Sequence, residues 1–329
     1  MTPSPRAAGT SKPASLPAPA AATPSHEAGI AAPPPSLVHE SGECDRAYGF
    51  GGVCSRVEVG EWDSIPFTPP VICAESGRTC QLQIEIDAPT SGGPWPLVVI
   101  LPGGPGSPDE EIDYISPLAV SLAGQGAVVI VSEWRQSAEF GGGYPTSFAD
   151  VGCAIGAARR IGPDYGANPD RVTLVGHSLG GWSGAIVALT PSPFTPTPGS
   201  CGPTAGSLRP DAFVGLAGDA SEVKDQVSGA DYLTAFLGGS ATARPDAWRA
   251  ADPFALVKRY PAGVDSIPIV LIQGGADTTV PPTVARSFQA ALVAAGYDSR
   301  LVEVPAADHL TIMGATEAFD ATMTLATAP

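Results

Sequence analysis

A pentapeptide at residues 176–180 carries the residue types that a nucleophilic serine needs. It reads Gly-His-Ser-Leu-Gly with Ser178 at its centre, and it stands between an apolar run at residues 172–175 and a helix-like pattern at residues 179–189. A serine between a buried strand and a helix sits on a sharp, strained turn that projects its hydroxyl from the sheet edge. The pattern therefore predicts that Ser178 attacks a carbonyl carbon. The alternative is a glycine turn that serves the fold alone.

A nucleophilic serine also needs a base, and the chain has only four histidines. His26 and His39 lie in a Pro- and Ala-rich N-terminal segment. His177 could act as the base only if its side chain reached the adjacent serine, which the geometry of such a turn disfavours. Elimination therefore favours His309, which follows the last predicted strand.

The third member of a serine triad is a carboxylate that orients the base. Asp277 follows an apolar run at residues 267–272 and a glycine pair, which places it in a loop after a buried strand. A carboxylate there can accept the imidazole N–H and stabilise the imidazolium. The alternative is a capping or solvated loop aspartate, which is our interpretation of the neighbouring Asp308.

Hydrolysis through a tetrahedral intermediate also requires donors for the developing oxyanion. One donor is expected to be the backbone N–H of Leu179, directly after the nucleophile. The other should come from the glycine-rich segment at residues 102–106, where we expect Gly104 to donate, with Gly103 as the alternative. Pro105 has no N–H and cannot donate. A simple glycine-proline turn would explain the same residues.

The elements that must position these groups alternate along the chain. Strands are predicted at residues 82–86, 97–101, 127–131, 172–175, 212–216, 267–272 and 301–304, and helices at residues 147–161, 179–189, 282–295 and 310–326. Continuous apolar runs suit strands buried on both faces of a parallel sheet. The alternation predicts an α/β fold with a doubly wound, mostly parallel sheet.

These residues and their order resemble the α/β-hydrolase family. Residues 97–310 most resemble secreted carboxylesterases of the feruloyl-esterase-like and dienelactone-hydrolase-like types, in which the triad follows the order Ser, Asp or Glu, His. The resemblance implies a secreted serine hydrolase that cleaves carboxylic esters through an acyl-enzyme on Ser178, without a metal or another cofactor. It also shows a departure, because Pro102 stands where the family often has a histidine.

Other functions remain open at this point. The Gly-Gly-Pro-Gly run at residues 103–106 also resembles α/β-hydrolases of the proline-iminopeptidase type, which favours a peptidase. Those enzymes usually carry tryptophan after the serine, whereas this chain has Leu179. A non-catalytic binding module on the same scaffold is a further alternative. An esterase could act on small-molecule or polymer substrates, with aryl, acetyl or polyester groups.

Four further side chains are candidates for lining a substrate pocket. They are Glu133, Trp134, Tyr144 and Trp182, which lie after predicted strands or near the nucleophile. Aromatic residues of this kind are more often packing residues, and that alternative applies to each. The sequence contains no phosphate-binding loop, dinucleotide fingerprint or HExxH metal motif.

The domain organisation follows from composition. Residues 1–42 are dominated by Pro, Ala, Ser and Thr and are predicted to be a disordered tail. Residues 43–329 are predicted to form the catalytic domain. Within it, residues 191–208 and 219–265 fit the alternation of strands and helices poorly and are expected to form a lid or binding loops.

The chain has six cysteines and a net charge of −16, which bear on its cellular compartment and on its binding partners. An even cysteine count suggests disulfides and secretion, with Cys44–Cys54, Cys73–Cys80 and Cys153–Cys201 as the pairing expected from proximity. Six unpaired thiols in a cytosolic protein are the alternative. The N-terminus lacks the apolar stretch of a signal peptide, so we expect that peptide to be absent from the sequence as given. The acidic balance argues against a nucleic-acid partner. No apolar run is long enough to span a membrane. We also expect the protein to be a monomer.

Overall fold

A computed structural model describes residues 38–39, 57–73, 77–104, 114–192, 194–221, 229–263 and 265–328. All of them belong to one unit, Pro33–Pro329. Most of the predicted N-terminal tail therefore lies outside the described residues, and so do Cys44 and Cys54.

The described strands form a nine-stranded sheet and a separate two-stranded hairpin. The strands are β1 (Val38–His39), β2 (Val59–Pro66), β3 (Val71–Ile72), β4 (Thr79–Cys80), β5 (Gln83–Pro89), β6 (Trp95–Leu101), β7 (Val128–Ser132), β8 (Ala167–His177), β9 (Ala212–Leu216), β10 (Ile269–Gly274) and β11 (Ser299–Val304). In the large sheet the order is β1-β2-β5-β7-β6-β8-β9-β10-β11. The strands from β7 to β11 in this order run parallel, and β1, β2 and β5 join the sheet antiparallel.

Eight α-helices surround the sheet in the described part of the chain. They are α1 (Ser116–Gly124), α2 (Thr146–Ile161), α3 (Leu179–Leu189), α4 (Gly229–Phe236), α5 (Pro245–Ala250), α6 (Pro253–Arg259), α7 (Pro282–Ala294) and α8 (Thr316–Ala326). The last helix is shorter than predicted, because a separate 3₁₀ turn at Thr311–Gly314 takes up its first residues. Helix α1 and the strands β1 to β4 were not predicted from the sequence.

Both faces of the sheet are buried, which explains the continuous apolar runs. On β6, Leu97 and Val99 pack into the cluster that contains α2, α3, α6 and α7. Their neighbours Val98 and Ile100 point the other way, into the cluster that contains α1 and α8. Successive side chains of a strand face opposite sides of the sheet, so a strand covered on both sides must be apolar throughout. The predicted doubly wound α/β fold is confirmed.

The two poorly periodic segments differ in structure. The described part of residues 219–265 contains three short helices, α4, α5 and α6. Residues 191–208 contain no helix or strand among the residues described there, and they are tied to α2 by the predicted Cys153–Cys201 disulfide. That bridge joins Cα atoms 5.5 Å apart across a sequence separation of 48 residues. Whether either segment acts as a lid stays a prediction.

The predicted Cys73–Cys80 disulfide is absent from the structure, which has two free thiols there. On the β3–β4 hairpin, Cys80 stands opposite Val71. The backbone N–H of Cys73 donates a hydrogen bond to Arg78 O, so Cys73 stands opposite Arg78. The two cysteines are therefore diagonal neighbours, and diagonal positions lie near the upper limit of the Cα separation that a disulfide spans. Burial raises the pKa of the Cys80 thiol to about 12, and a hydrogen bond with Cys73 adds to the effect. The thiol is therefore held in its unreactive protonated form.

Removing the disulfide with Cys153→Ser and Cys201→Ser together should lower the free energy of unfolding by about 4 kcal/mol, because the unfolded chain regains the entropy of a long loop. Urea unfolding measures this loss. Cys80→Ser is the matched control and should have a much smaller effect, since Cys80 is unbridged. Equal losses in the two proteins would contradict the stabilising role of the bridge.

Candidate active site

The turn around Ser178 has the geometry that its glycines predict. β8 ends at His177, α3 begins at Leu179, and Ser178 between them has φ 53° and ψ −118°. A positive φ is costly for a residue with a side chain and is kept only where the surroundings enforce it. Here the backbone N–H of Ser178 donates to Leu216 O at 3.1 Å.

Two glycines of the pentapeptide are required by close backbone packing. A Cβ at Gly176 would overlap the carbonyl oxygen of Gly180. A Cβ at Gly180 would overlap the carbonyl oxygen of Leu101 at the end of β6. The strand, the turn and the helix approach closely only because these side chains are missing, and this holds Ser178 at the carboxyl edge of the parallel strands, where ligands bind in open α/β sheets.

The structure brings the three predicted triad residues together. His309 Nε2 lies 3.0 Å from Ser178 Oγ, and His309 Nδ1 lies 2.9 Å from Asp277 Oδ2. The Asp277 side chain is fully buried, whereas that of His309 keeps 15% of its surface exposed. The three come from loops after β8, β10 and β11, whose carboxyl ends meet at one edge of the sheet.

Asp277 is held by four hydrogen bonds. Its Oδ1 accepts the backbone N–H groups of Thr279 and Val280, both at 2.8 Å. Its Oδ2 accepts from Gln273 Nε2 at 3.0 Å as well as from His309. The carboxylate therefore has a fixed orientation. Gln273 was not predicted from the sequence, although a polar residue at the end of an otherwise apolar strand was the available signal.

His177, inside the pentapeptide, belongs to a separate buried network. Its Nδ1 lies 2.9 Å from the Tyr114 hydroxyl, and its Nε2 lies 2.9 Å from the carbonyl oxygen of His309. Burial lowers the pKa of His177 to about 4, so the ring is neutral near pH 7. His177 does not contact Ser178 Oγ as a base would, in agreement with the prediction that the turn disfavours this role.

The buried His177 predicts a loss of stability in acid. An unfolded histidine has a pKa near 6.5, so between about pH 6.5 and pH 4 the unfolded chain binds a proton that the folded chain does not. Stability is therefore fully present above pH 6.5 and falls through this window by about 3 kcal/mol. Urea unfolding at pH 7.5 and pH 4.5 should show a smaller decrease for His177→Gln than for wild type. Equal decreases would contradict this assignment.

Residues 102–104, predicted to supply the second oxyanion donor, are fixed by hydrogen bonds to surrounding side chains. Trp134 Nε1 donates to Pro102 O at 3.2 Å. With its amide nitrogen turned toward them, Gln136 donates to the carbonyl oxygens of Gly103 at 3.0 Å and Gly104 at 2.6 Å. The backbone N–H of Gly103 donates to the Tyr114 hydroxyl at 2.5 Å. Of the two alternatives from the sequence, the Gly103 N–H thus already has an acceptor.

Gly103 also packs directly against the nucleophile. A Cβ at this position would lie 2.6 Å from Ser178 Cβ and 2.9 Å from His177 O. Only glycine allows this approach. The next residue, Gly104, has φ 93°, a conformation that favours glycine for a different reason.

Three of the four candidates for lining a substrate pocket are buried in the structure. Trp134 and Trp182 have no exposed surface, and the Trp182 indole N–H donates to Ala251 O at 2.9 Å. Buried Glu133 accepts from the backbone N–H of Gln83 at 2.7 Å. Half-buried Tyr144 packs edge-on against the rings of Phe148 and Phe194. Trp134, Trp182 and Glu133 therefore support the fold, because their surfaces are used in packing. A pocket role for Tyr144 stays a prediction.

Metal and membrane features can be checked over the described residues only. Within these ranges, no group of three or more His, Cys, Asp or Glu side chains could hold a metal ion. Among the described helices, none is both long and apolar enough to cross a bilayer.

A family model described as BD-FAE matches residues 82–292, which is more than half of the chain. The chain belongs to the BD-FAE family. The family consists of α/β-hydrolase esterases, which confirms the resemblance inferred from the sequence. The region matched by the BD-FAE model includes Ser178 and Asp277, and His309 lies beyond it.

Similar proteins agree with the BD-FAE assignment. Esterase LipQ of Mycobacterium tuberculosis is 26% identical over 225 residues, which cover 67% of this chain and 51% of LipQ. The chain therefore spans about half the length of this relative. A structure described as a truncated carbohydrate esterase from gut microbiota has a TM-score of 0.64 at 20% identity, covering 81% of this chain and 95% of that one. Thermogutta terrifontis esterase 2 phosphonylated by sarin has a TM-score of 0.56 at 21% identity, covering 79% and 92%.

Proposed function

We propose that this protein is a serine hydrolase of carboxylic esters that works through an acyl-enzyme on Ser178. The observation that carries the proposal is the hydrogen-bonded series Ser178 Oγ, His309 and Asp277, with distances of 3.0 and 2.9 Å. This is the arrangement that nucleophile, base and orienting acid require. Membership of an esterase family supports it independently of the geometry.

The residues take the following roles in the reaction. Ser178 Oγ attacks the ester carbonyl carbon while its proton passes to His309 Nε2. Asp277 keeps the other proton of the ring on Nδ1 and stabilises the imidazolium. His309 then gives its proton to the departing alkoxide, which leaves as an alcohol, and water attacks the acyl-enzyme with the same histidine as base.

The oxyanion is assigned to the backbone N–H groups of Leu179 and Gly104. Leu179 is the first residue of α3, so its N–H belongs to the unpaired first turn of a helix beside the nucleophile. Gly104 is preferred to Gly103 because the N–H of Gly103 donates to Tyr114. Two aimed backbone donors are the usual means of stabilising a tetrahedral oxyanion.

Secretion and substrate belong to the same proposal. The Cys153–Cys201 disulfide is the kind of bond that persists in oxidising compartments. For the substrate we propose an acetyl or aryl ester of small or medium size, or a polyester. The similarity to a structure described as a carbohydrate esterase adds sugar-linked esters to the candidates. A monomeric state is part of the proposal and is measurable by light scattering.

A substrate panel tests the proposal. It should contain p-nitrophenyl esters of increasing acyl length, acetylated and feruloylated sugars, a polyester film and amino-acyl p-nitroanilides, each tested with wild type and Ser178→Ala. We expect hydrolysis of at least one ester class that depends on Ser178. Strong amidase activity with negligible ester hydrolysis would instead indicate a peptidase and would overturn the proposal.

A further inference from the structure

A line of partly buried hydrogen bonds runs from the oxyanion segment to the loop that carries the base. Its members are the Gly103 N–H after β6, the Tyr114 hydroxyl before α1, the His177 ring at the end of β8 and the His309 carbonyl after β11. The successive distances are 2.5, 2.9 and 2.9 Å. The proposed reaction uses neither Tyr114 nor His177, so their role is open.

The chemistry of the groups fixes the direction of each bond. A carbonyl oxygen can only accept, so His177 Nε2 must carry the proton that donates to His309 O. The ring is neutral, because burial lowers the pKa of His177 to about 4, so Nδ1 has no proton and accepts from the Tyr114 hydroxyl. The Tyr114 oxygen is then the acceptor for the Gly103 N–H. Each group donates toward the base loop.

Packing reinforces the same connection. The His177 ring is almost fully buried, and it lies against the His309 ring with a centroid distance of 4.8 Å. The Tyr114 ring also meets the His177 ring edge-on, with a centroid distance of 5.6 Å. A buried donor or acceptor that loses its partner costs more than a hydrogen bond contributes, so the geometry of the line is strongly preferred.

We propose that Tyr114 and His177 are positioning residues that hold the oxyanion segment and the His309 backbone in a fixed relation to Ser178. This inference rests on the proposed esterase function. Neither residue touches the substrate in this account. Tyr114 sets the place of Gly103, and therefore that of the Gly104 donor next to it. His177 sets the backbone from which the base projects.

A displacement of reacting groups by about 1 Å can cost about 100-fold in rate, even when substrate binding is intact. Tyr114→Phe keeps the ring and removes the hydroxyl that bonds to Gly103 and His177. His177→Gln keeps an amide N–H that can reach His309 O and removes the Nδ1 acceptor. Both variants therefore break the same hydrogen bond between residues 114 and 177.

The experiment measures kcat and KM of wild type, Tyr114→Phe, His177→Gln and the double variant on p-nitrophenyl acetate, with thermal unfolding of each. We expect each single variant to lose about 10- to 100-fold in kcat, with KM changed by less than about threefold. The kcat of the double variant should lie no more than about threefold below that of the less active single variant, because either substitution alone already breaks the shared hydrogen bond. Tyr297→Phe is the matched control. Tyr297 lies just before β11, at the end of that strand opposite to the active site, and its hydroxyl donates to Tyr260 O.

Three results with the Tyr114 and His177 variants would overturn the inference. They are an unchanged kcat in Tyr114→Phe, a loss confined to KM, and losses in the double variant that multiply those of the single variants. A kcat loss in Tyr297→Phe equal to that in Tyr114→Phe would also overturn it, because the effect would then be general destabilisation. Failure of the proposed function has a different signature: wild type itself would not hydrolyse the ester.

Discussion

Replacing Ser178 with alanine is expected to lower kcat for p-nitrophenyl esters by about 10⁶-fold, the order of loss seen when a triad nucleophile is removed. The physical reason is that Ser178 Oγ is the atom that lies 3.0 Å from the proposed base. Without this oxygen no covalent intermediate can form. Thermal unfolding should be nearly unchanged, because alanine accepts the same backbone position and removes only a hydroxyl.

Ser183→Ala is the matched control for that variant. Ser183 lies one turn further along α3, its hydroxyl is buried, and it has no hydrogen-bond partner among the described residues. Its removal should leave kcat close to the wild-type value. If Ser178→Ala retained more than about a hundredth of wild-type kcat, the hydrolysis would have to come from a different nucleophile.

Asp277→Asn is expected to lower kcat by about 10⁴-fold, which is the effect of placing an amide behind a catalytic histidine. Asp277 Oδ1 accepts two backbone N–H groups, so the asparagine oxygen must take that place and its NH₂ must face His309 Nδ1. The ring would then keep its proton on Nε2, toward Ser178, and could not accept the serine proton. The KM should change little, since Asp277 is buried and has no exposed side-chain surface.

Asp308→Asn is the control for this second prediction. Asp308 precedes His309, but its carboxylate accepts from the backbone N–H groups of Leu310 and Thr311 and is exposed. Asparagine can accept the same bonds through its side-chain oxygen. The kcat of this variant should stay within about threefold of wild type. Equal losses in the two variants would show that loop geometry, rather than a carboxylate behind the base, limits the rate.

The parts of the site that the sequence predicts are those defined by local pattern. Ser178 stands in a strand–turn–helix segment, and the apolar run before Asp277 is continuous because both faces of β10 are buried. His309 followed from elimination among four histidines. In each case the deciding information lies within about ten residues of the side chain or in the composition of the whole chain.

Other parts depend on contacts between distant residues and could not be predicted. Tyr114 meets His177 across 63 positions of the chain, and His177 meets His309 across 132. Nothing in the local pattern of Tyr114 distinguishes it from a surface aromatic. The same limit explains the error for Trp134 and Trp182, since only the packed structure shows that their indoles lie behind the site.

The antiparallel edge of the sheet was also missed. β2 at Val59–Pro66 mixes polar and apolar residues and so lacks a continuous apolar run. The separate hairpin was missed as well, because its strands β3 and β4 have only two residues each. The expected Cys73–Cys80 bridge was wrong because sequence proximity does not reveal cross-strand register. Register is set by which residues face each other on the hairpin, and a shift of one or two positions decides whether two sulfur atoms can join.

Mass spectrometry after reaction with a fluorophosphonate tests the central claim most directly, because the reagent modifies only an activated serine. The folded protein is treated with the reagent, its intact mass is measured, and the modified peptide is then sequenced, with Ser178→Ala treated in parallel. We predict one adduct per chain, located on Ser178 and absent from the variant, with loss of ester hydrolysis in proportion to labelling. An unmodified Ser178 in protein that hydrolyses esters, or an adduct that persists in Ser178→Ala, would contradict the account.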